Sequence, residues 1–73
     1  MIKNNQLFLQ KLGEKIIFIR KNKNMKQYEL SDILGMDDSG LRKIESGRTN
    51  PTVKTLIKIA NALEIELKEL FDF

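Results

Sequence analysis

Residues 27–46 read QYELSDILGMDDSGLRKIES, and the architecture follows from them. Apolar residues recur at helical spacing on either side of a glycine, with Leu30, Ile33 and Leu34 before Gly35 and Leu41 and Ile44 after it. The spacing predicts one short helix over about residues 27–34 and another that begins after Asp37 and ends at Gly47, with only about three residues between them. Asp37 is the expected N-cap of the second, its carboxylate accepting a backbone amide proton. Two short helices that cross at about 90 to 120° over a turn of this length need a small residue where they approach. Ser31 stands at that place, Gly35 permits the turn, and Leu30, Leu34, Met36, Leu41 and Ile44 form an apolar wedge between the two helices.

Upstream, Phe8, Leu12, Ile16 and Ile19 are spaced by four, four and three, which is one helical stripe over about residues 7–22. Asn5 is placed to cap its start, and Asn24 lies just past its end, where a left-handed residue is often needed. Downstream, a polar loop over residues 48–51 leads to Thr52, an expected N-cap. Val53, Leu56, Ile59, Ala60 and Leu63 then mark a fourth helix, and Ile65, Leu67, Leu70 and Phe71 a short fifth. The expected architecture is all-α, a five-helix single domain over residues 1–73, with no internal repeat.

The chain has neither cysteine nor histidine. A disulfide framework is therefore excluded, and the usual zinc ligands and the commonest general base are missing, so neither metal nor cofactor is expected, nor an enzyme. No apolar run approaches the roughly 20 residues of a membrane span, and residues 1–10 lack the apolar core of a secretory signal, which points to a cytoplasmic protein. Charge is graded along the chain. Residues 1–30 carry seven Lys or Arg against two acids, residues 31–61 five against four, and residues 62–73 one against four. A basic first half suits a nucleic-acid footprint or a set of solvated helix faces, and charge alone does not choose between them.

With these residues in place, the chain resembles the helix-turn-helix family of the lambda repressor and Cro, often called the XRE family. The resemblance runs from about Leu12 to Phe71. It rests on LGEKI with the following Arg20, MKQYEL, the turn after Gly35, IESGRTNPT, and TLIKIANALEI leading to ELF. It implies a compact domain whose third helix reads the major groove of double-stranded DNA. Carried over residue by residue, it implies that Gln27, with Lys26 beside it, contacts phosphate at the start of the second helix. Asp38, Ser39, Arg42 and Lys43 fall on the outward positions of the third helix, and Arg42 and Lys43 are suited to guanine O6 and N7. Arg48, Thr49 and Asn50 match the loop that grips the DNA backbone beyond that helix, although Asn50 is also placed to help cap the fourth. Arg20 and Glu45 match a structural ion pair. The family's habit of pairing through its last two helices implies a homodimer, with Leu63, Ile65, Leu67, Leu70 and Phe71 as the expected interface. A two-fold dimer sets its reading helices roughly 34 to 36 Å apart.

Four features depart from the family pattern. Lys26 stands where Ser or Thr usually caps the second helix. Asp37 and Asp38 put two negative charges at the end that faces DNA, and Asp38 either accepts a hydrogen bond from cytosine N4 or weakens binding. Gly40 costs a helix interior about 1 kcal/mol relative to alanine, in exchange for either a close approach to DNA or relief of crowding against the second helix. Ile17 and Phe18 are apolar beside the core stripe, packed beneath the N-terminal extension or forming a partner surface. The function expected is a sequence-specific transcriptional regulator, a repressor more readily than an activator, with no sensor domain. The alternative is an antitoxin-like or other protein-interaction module with a protein partner and weak DNA binding.

Overall fold

The computed structural model describes residues 5–73. Leu12, Ile16 and Ile19 form the buried stripe of the first helix, α1 (Asn5–Asn22), as their spacing requires. Asn5 lies within this helix and does not cap it. Phe8 sits beyond the core, half exposed, with its ring stacked on Phe71 and tilted against Phe73. Asn24, at φ 56°, takes the left-handed conformation expected of it and turns the chain toward α2 (Gln27–Leu34).

The Lys26 side chain has no acceptor with which to cap α2, but its backbone N–H donates to Glu29 Oε1 at 2.7 Å, which is half of a capping box and steadies the first turn. The helix buries Leu30, Ser31 and Leu34. Ile33 is exposed, contrary to the expected stripe. Each residue turns a helix by about 100°, so a face centred between Leu30 and Ser31 leaves Ile33 well outside it. Gly35 then adopts φ 70°, where its N–H and that of Met36 bond to the carbonyls of Asp32 and Ser31 and close the helix end.

The third helix, α3 (Asp38–Glu45), buries Leu41, Ile44 and Glu45. Asp37 holds the N-cap position but makes no side-chain cap hydrogen bond. The residue is exposed, and only its backbone carbonyl accepts, from Gly40 and Leu41. Thr52 does cap α4 (Val53–Leu63), its Oγ1 accepting from the Thr55 N–H at 3.1 Å, so Asn50 is not needed there. Leu56, Ile59, Ala60 and Leu63 face inward on α4, whereas Val53 points to solvent. The helix ends on Glu64 in the left-handed conformation, φ 59°, a position the sequence does not announce with glycine. The expected fifth helix is a short 3-10 segment, η1 (Leu67–Phe71).

In packing, α1 lies across α3 and η1, α2 against α3 and α4, and α4 against η1. Gly13 allows the closest of these approaches: a Cβ there would overlap the Glu45 carbonyl oxygen and come 2.7 Å from that of Ile44. The core closes around Ile16, Leu30, Leu41, Ile59, Leu63 and Leu70. Leu63 and Leu70 are thus 0% exposed within one protomer, and Ile65 and Leu67 pack half-buried against the same core. Leu63 and Leu70, expected at a dimer interface, are packed inside the protomer's own core. Phe71, 39% exposed, is the most open of the five residues expected there. The acidic, apolar C-terminal segment serves first to close the protomer's own core.

Candidate nucleic-acid interface

The inward side of α3 is committed to the core, which leaves its other side to Ser39, Arg42 and Lys43, all exposed. The ion pairs among the described residues are Arg20 with Glu45 and, near the C-terminus, the exposed Lys68 Nζ with Glu66 Oε1 at 3.9 Å. Neither Arg42 nor Lys43 is neutralised by a carboxylate among them. Lys43 shares a shallow hollow of about 290 Å³ with Met36, Gly40, Thr49, Asn50 and Thr55, so the third helix and the loop before α4 form one continuous surface. Asn50 is exposed and Thr49 half-buried on that surface. Arg48 is exposed, its Nε donating to Ser46 Oγ at 2.9 Å, which holds the guanidinium near the C-terminal end of α3. Lys26 is exposed at the start of α2.

Beneath this surface lies a buried polar network. Arg20 Nε donates to Glu45 Oε2 at 2.8 Å and Nη2 to Oε1 at 3.1 Å, a two-pronged pair, while Nη1 donates to the Met25 carbonyl at 2.9 Å. The ion pair expected of Arg20 and Glu45 is therefore formed. Gln27 Nε2 adds a third donor to the same carboxylate, 2.8 Å from Oε1. The amide expected to reach phosphate is thus also anchored inward, and it ties the start of α2 to the end of α3. Nothing in the sequence pattern singles out that bond, nor the one from Gln6 Nε2 to the Gly47 carbonyl at 2.9 Å that ties α1 to the loop after α3.

Asp38 is exposed at the first position of α3, and its Oδ1 accepts from the Ser31 hydroxyl. At Gly40, the neighbour that a Cβ would meet is the flexible tip of Met36, at 3.3 Å, so crowding against the backbone of α2 does not account for this glycine. Ile17 is half-buried, and Phe18 is 59% exposed with Lys15 Nζ 5.5 Å from its ring centroid. The N-terminal extension expected to cover the pair falls on residues 1–4, outside the described residues. Among the described residues no group of acidic side chains is arranged to hold a metal ion, and no helix is long and apolar enough to cross a membrane.

The helix-turn-helix family HTH_3 matches residues 16–70. The transcriptional repressor RstR of the cryptic phage CTXphi, from Vibrio cholerae, is 40% identical over 60 residues, which cover 82% of this chain and 54% of the repressor. This chain thus spans about half the length of that relative. Among solved structures, the restriction-modification controller protein C.AhdI from Aeromonas hydrophila is similar with a TM-score of 0.84 and 35% identity, over 86% of this chain and 96% of the controller. SinR, described as a master regulator for biofilm formation and solved in complex with DNA, is similar with a TM-score of 0.76 and 32% identity, over 84% of this chain and 98% of that one. The short crossed pair α2 and α3, the length of the match and the level of identity lead to one conclusion: the chain belongs to the helix-turn-helix family HTH_3.

Proposed function

We propose that this chain is a sequence-specific DNA-binding transcriptional regulator, acting in the cytoplasm as a repressor and not as an enzyme. The observation that carries the reading is the free outer side of α3: Arg42 and Lys43 are exposed, unpaired by any carboxylate among the described residues, and mounted on a helix whose opposite side is locked into the core. An α-helix fits the major groove of B-form DNA, where Arg42 and Lys43 donate to guanine O6 and N7 and Ser39 reaches an adjacent base edge. Lys26, Gln27, Arg48, Thr49 and Asn50 frame the helix and hold phosphates, which fix its register without reading sequence. The names of its relatives, a phage repressor and a regulator solved on DNA, point the same way. Repression follows from occupancy, because a protein seated in the groove of a promoter excludes other proteins from it.

A homodimer suits this function, since two copies related by a two-fold axis read two half-sites. With Leu63 and Leu70 used inside the protomer, the exposed apolar residues left for a second copy at that end include Phe71 and, on the outer side of α4, Val53 and Ile57. The exposed Phe18 favours a second reading, a protein-interaction module, and co-purification with a stoichiometric protein and no DNA affinity is the result that would select it. The direct test of the first reading is binding at fixed salt to a site selected from random DNA. Arg42→Ala and Lys43→Ala should each weaken it by roughly 5- to 150-fold and relax preference at one base pair. Unchanged affinity and selectivity in both variants would refute the proposed reading face.

A further inference from the structure

Ser31 and Asp38 meet across the turn between α2 and α3. Ser31 is 1% exposed, and its hydroxyl reaches two acceptors, the Tyr28 carbonyl oxygen in its own helix at 3.0 Å and Asp38 Oδ1 on the next. A hydroxyl has one proton to donate. A hydrogen bond to a carboxylate is roughly twice as strong as one between neutral groups, so the proton goes to Asp38. The first turn of α3 has no side-chain cap, because Asp37 makes no such bond. The link from Ser31 is therefore the side-chain hydrogen bond that ties this end of α3 to α2.

We infer that Asp38 is held by the fold and is not a base reader: the Ser31 hydroxyl draws its carboxylate back toward α2, which ties the start of α3 to α2 and keeps a negative charge off the phosphates. Reading of the groove then falls to Ser39, Arg42 and Lys43. The effect on binding rests on the DNA-binding function proposed above, whereas the tie itself does not. It also turns the acidic start of α3, otherwise an obstacle to DNA, into part of the scaffold.

Ser31→Ala removes one oxygen, keeps the charge of Asp38 and releases it. Affinity for the selected site should fall about fivefold or more, and the double variant Ser31→Ala/Asp38→Asn, which carries no charge to face the phosphates, should return to within about twofold of the parent. Asp38→Asn alone keeps an oxygen for the Ser31 hydroxyl and should leave base preference unchanged at every position. Unchanged affinity in Ser31→Ala, a defect that Asp38→Asn fails to rescue, or a shift of preference from cytosine toward adenine in Asp38→Asn would each overturn the inference. A urea-unfolding cycle with Ser31→Ala, Asp38→Ala and the double variant tests the tie without DNA. Coupling of about tenfold in the folding equilibrium supports it, and additive effects overturn it. Should the parent protein select no DNA sequence, the DNA-binding reading fails while this cycle still decides the tie.

Discussion

Replacing Glu45 with alanine removes the carboxylate that pairs with Arg20, at a place where both side chains are nearly sealed from water, 8% and 3% exposed. The guanidinium would keep one partner, the Met25 carbonyl, and lose two hydrogen bonds, while Gln27 Nε2 would lose its acceptor as well. Breaking a buried pair by removing one partner costs about 3 to 5 kcal/mol, because the remaining charge stays buried and uncompensated. A domain of this size has roughly 4 to 11 kcal/mol of stability altogether. Since each kcal/mol shifts the melting temperature of so small a domain by about 4 to 8 °C, Glu45→Ala should lower it by at least about 12 °C in a thermal melt followed by far-ultraviolet circular dichroism. The paired change Arg20→Met/Glu45→Leu should recover most of that loss, because apolar replacement of a whole buried pair is often neutral or stabilising. A Glu45→Ala melting temperature within a few degrees of the parent would refute the argument that the pair is shielded from water.

Other substitutions probe other links. Gly13→Ala should destabilise the fold by about 2 to 3 kcal/mol in urea unfolding, although alanine is the better helix former, because its Cβ overlaps the carbonyls that end α3; a neutral or stabilising result would mean that α1 and α3 are not in such close contact. Glu64→Gly should raise the melting temperature by the equivalent of up to about 1 kcal/mol, since the left-handed conformation at φ 59° costs a residue with a Cβ and costs glycine little; a fall in melting temperature would contradict that. In the proposed homodimer, Ile57→Glu should shift sedimentation toward the monomer without changing the helical content, and an unaltered dimer would place the interface elsewhere.

Much of this protein is local in origin. The helical stripe of α1, the left-handed Asn24, the glycine turn after α2 and the Thr52 cap of α4 each depend on residues within a turn or two of one another, and each is legible in the sequence. The rotation of the short helices is not. An eight-residue helix carries too few apolar positions to define its inner side, so periodicity points Ile33 inward while packing leaves it outside. The same limit applies to Val53 at the first turn of α4. It applies again to Leu63 and Leu70: apolar residues near the end of a chain suit a partner's surface as well as the protomer's own core, and here the core takes them.

The end of α2 at Gly35, the start of α4 at Thr52, the short turn between α2 and α3, and the adjacent Arg42 and Lys43 of the third helix are all written in the order of the residues. How those side chains are aimed is a property of the assembled fold, which sets Gln27 on Glu45, Ser31 on Asp38 and Gln6 on Gly47, contacts that span from 7 to 41 residues. Range accounts for the division. Helix periodicity and capping act between neighbours along the chain, whereas the hydrogen bonds that orient the exposed side of α3 form only after burial of the core has brought distant segments together.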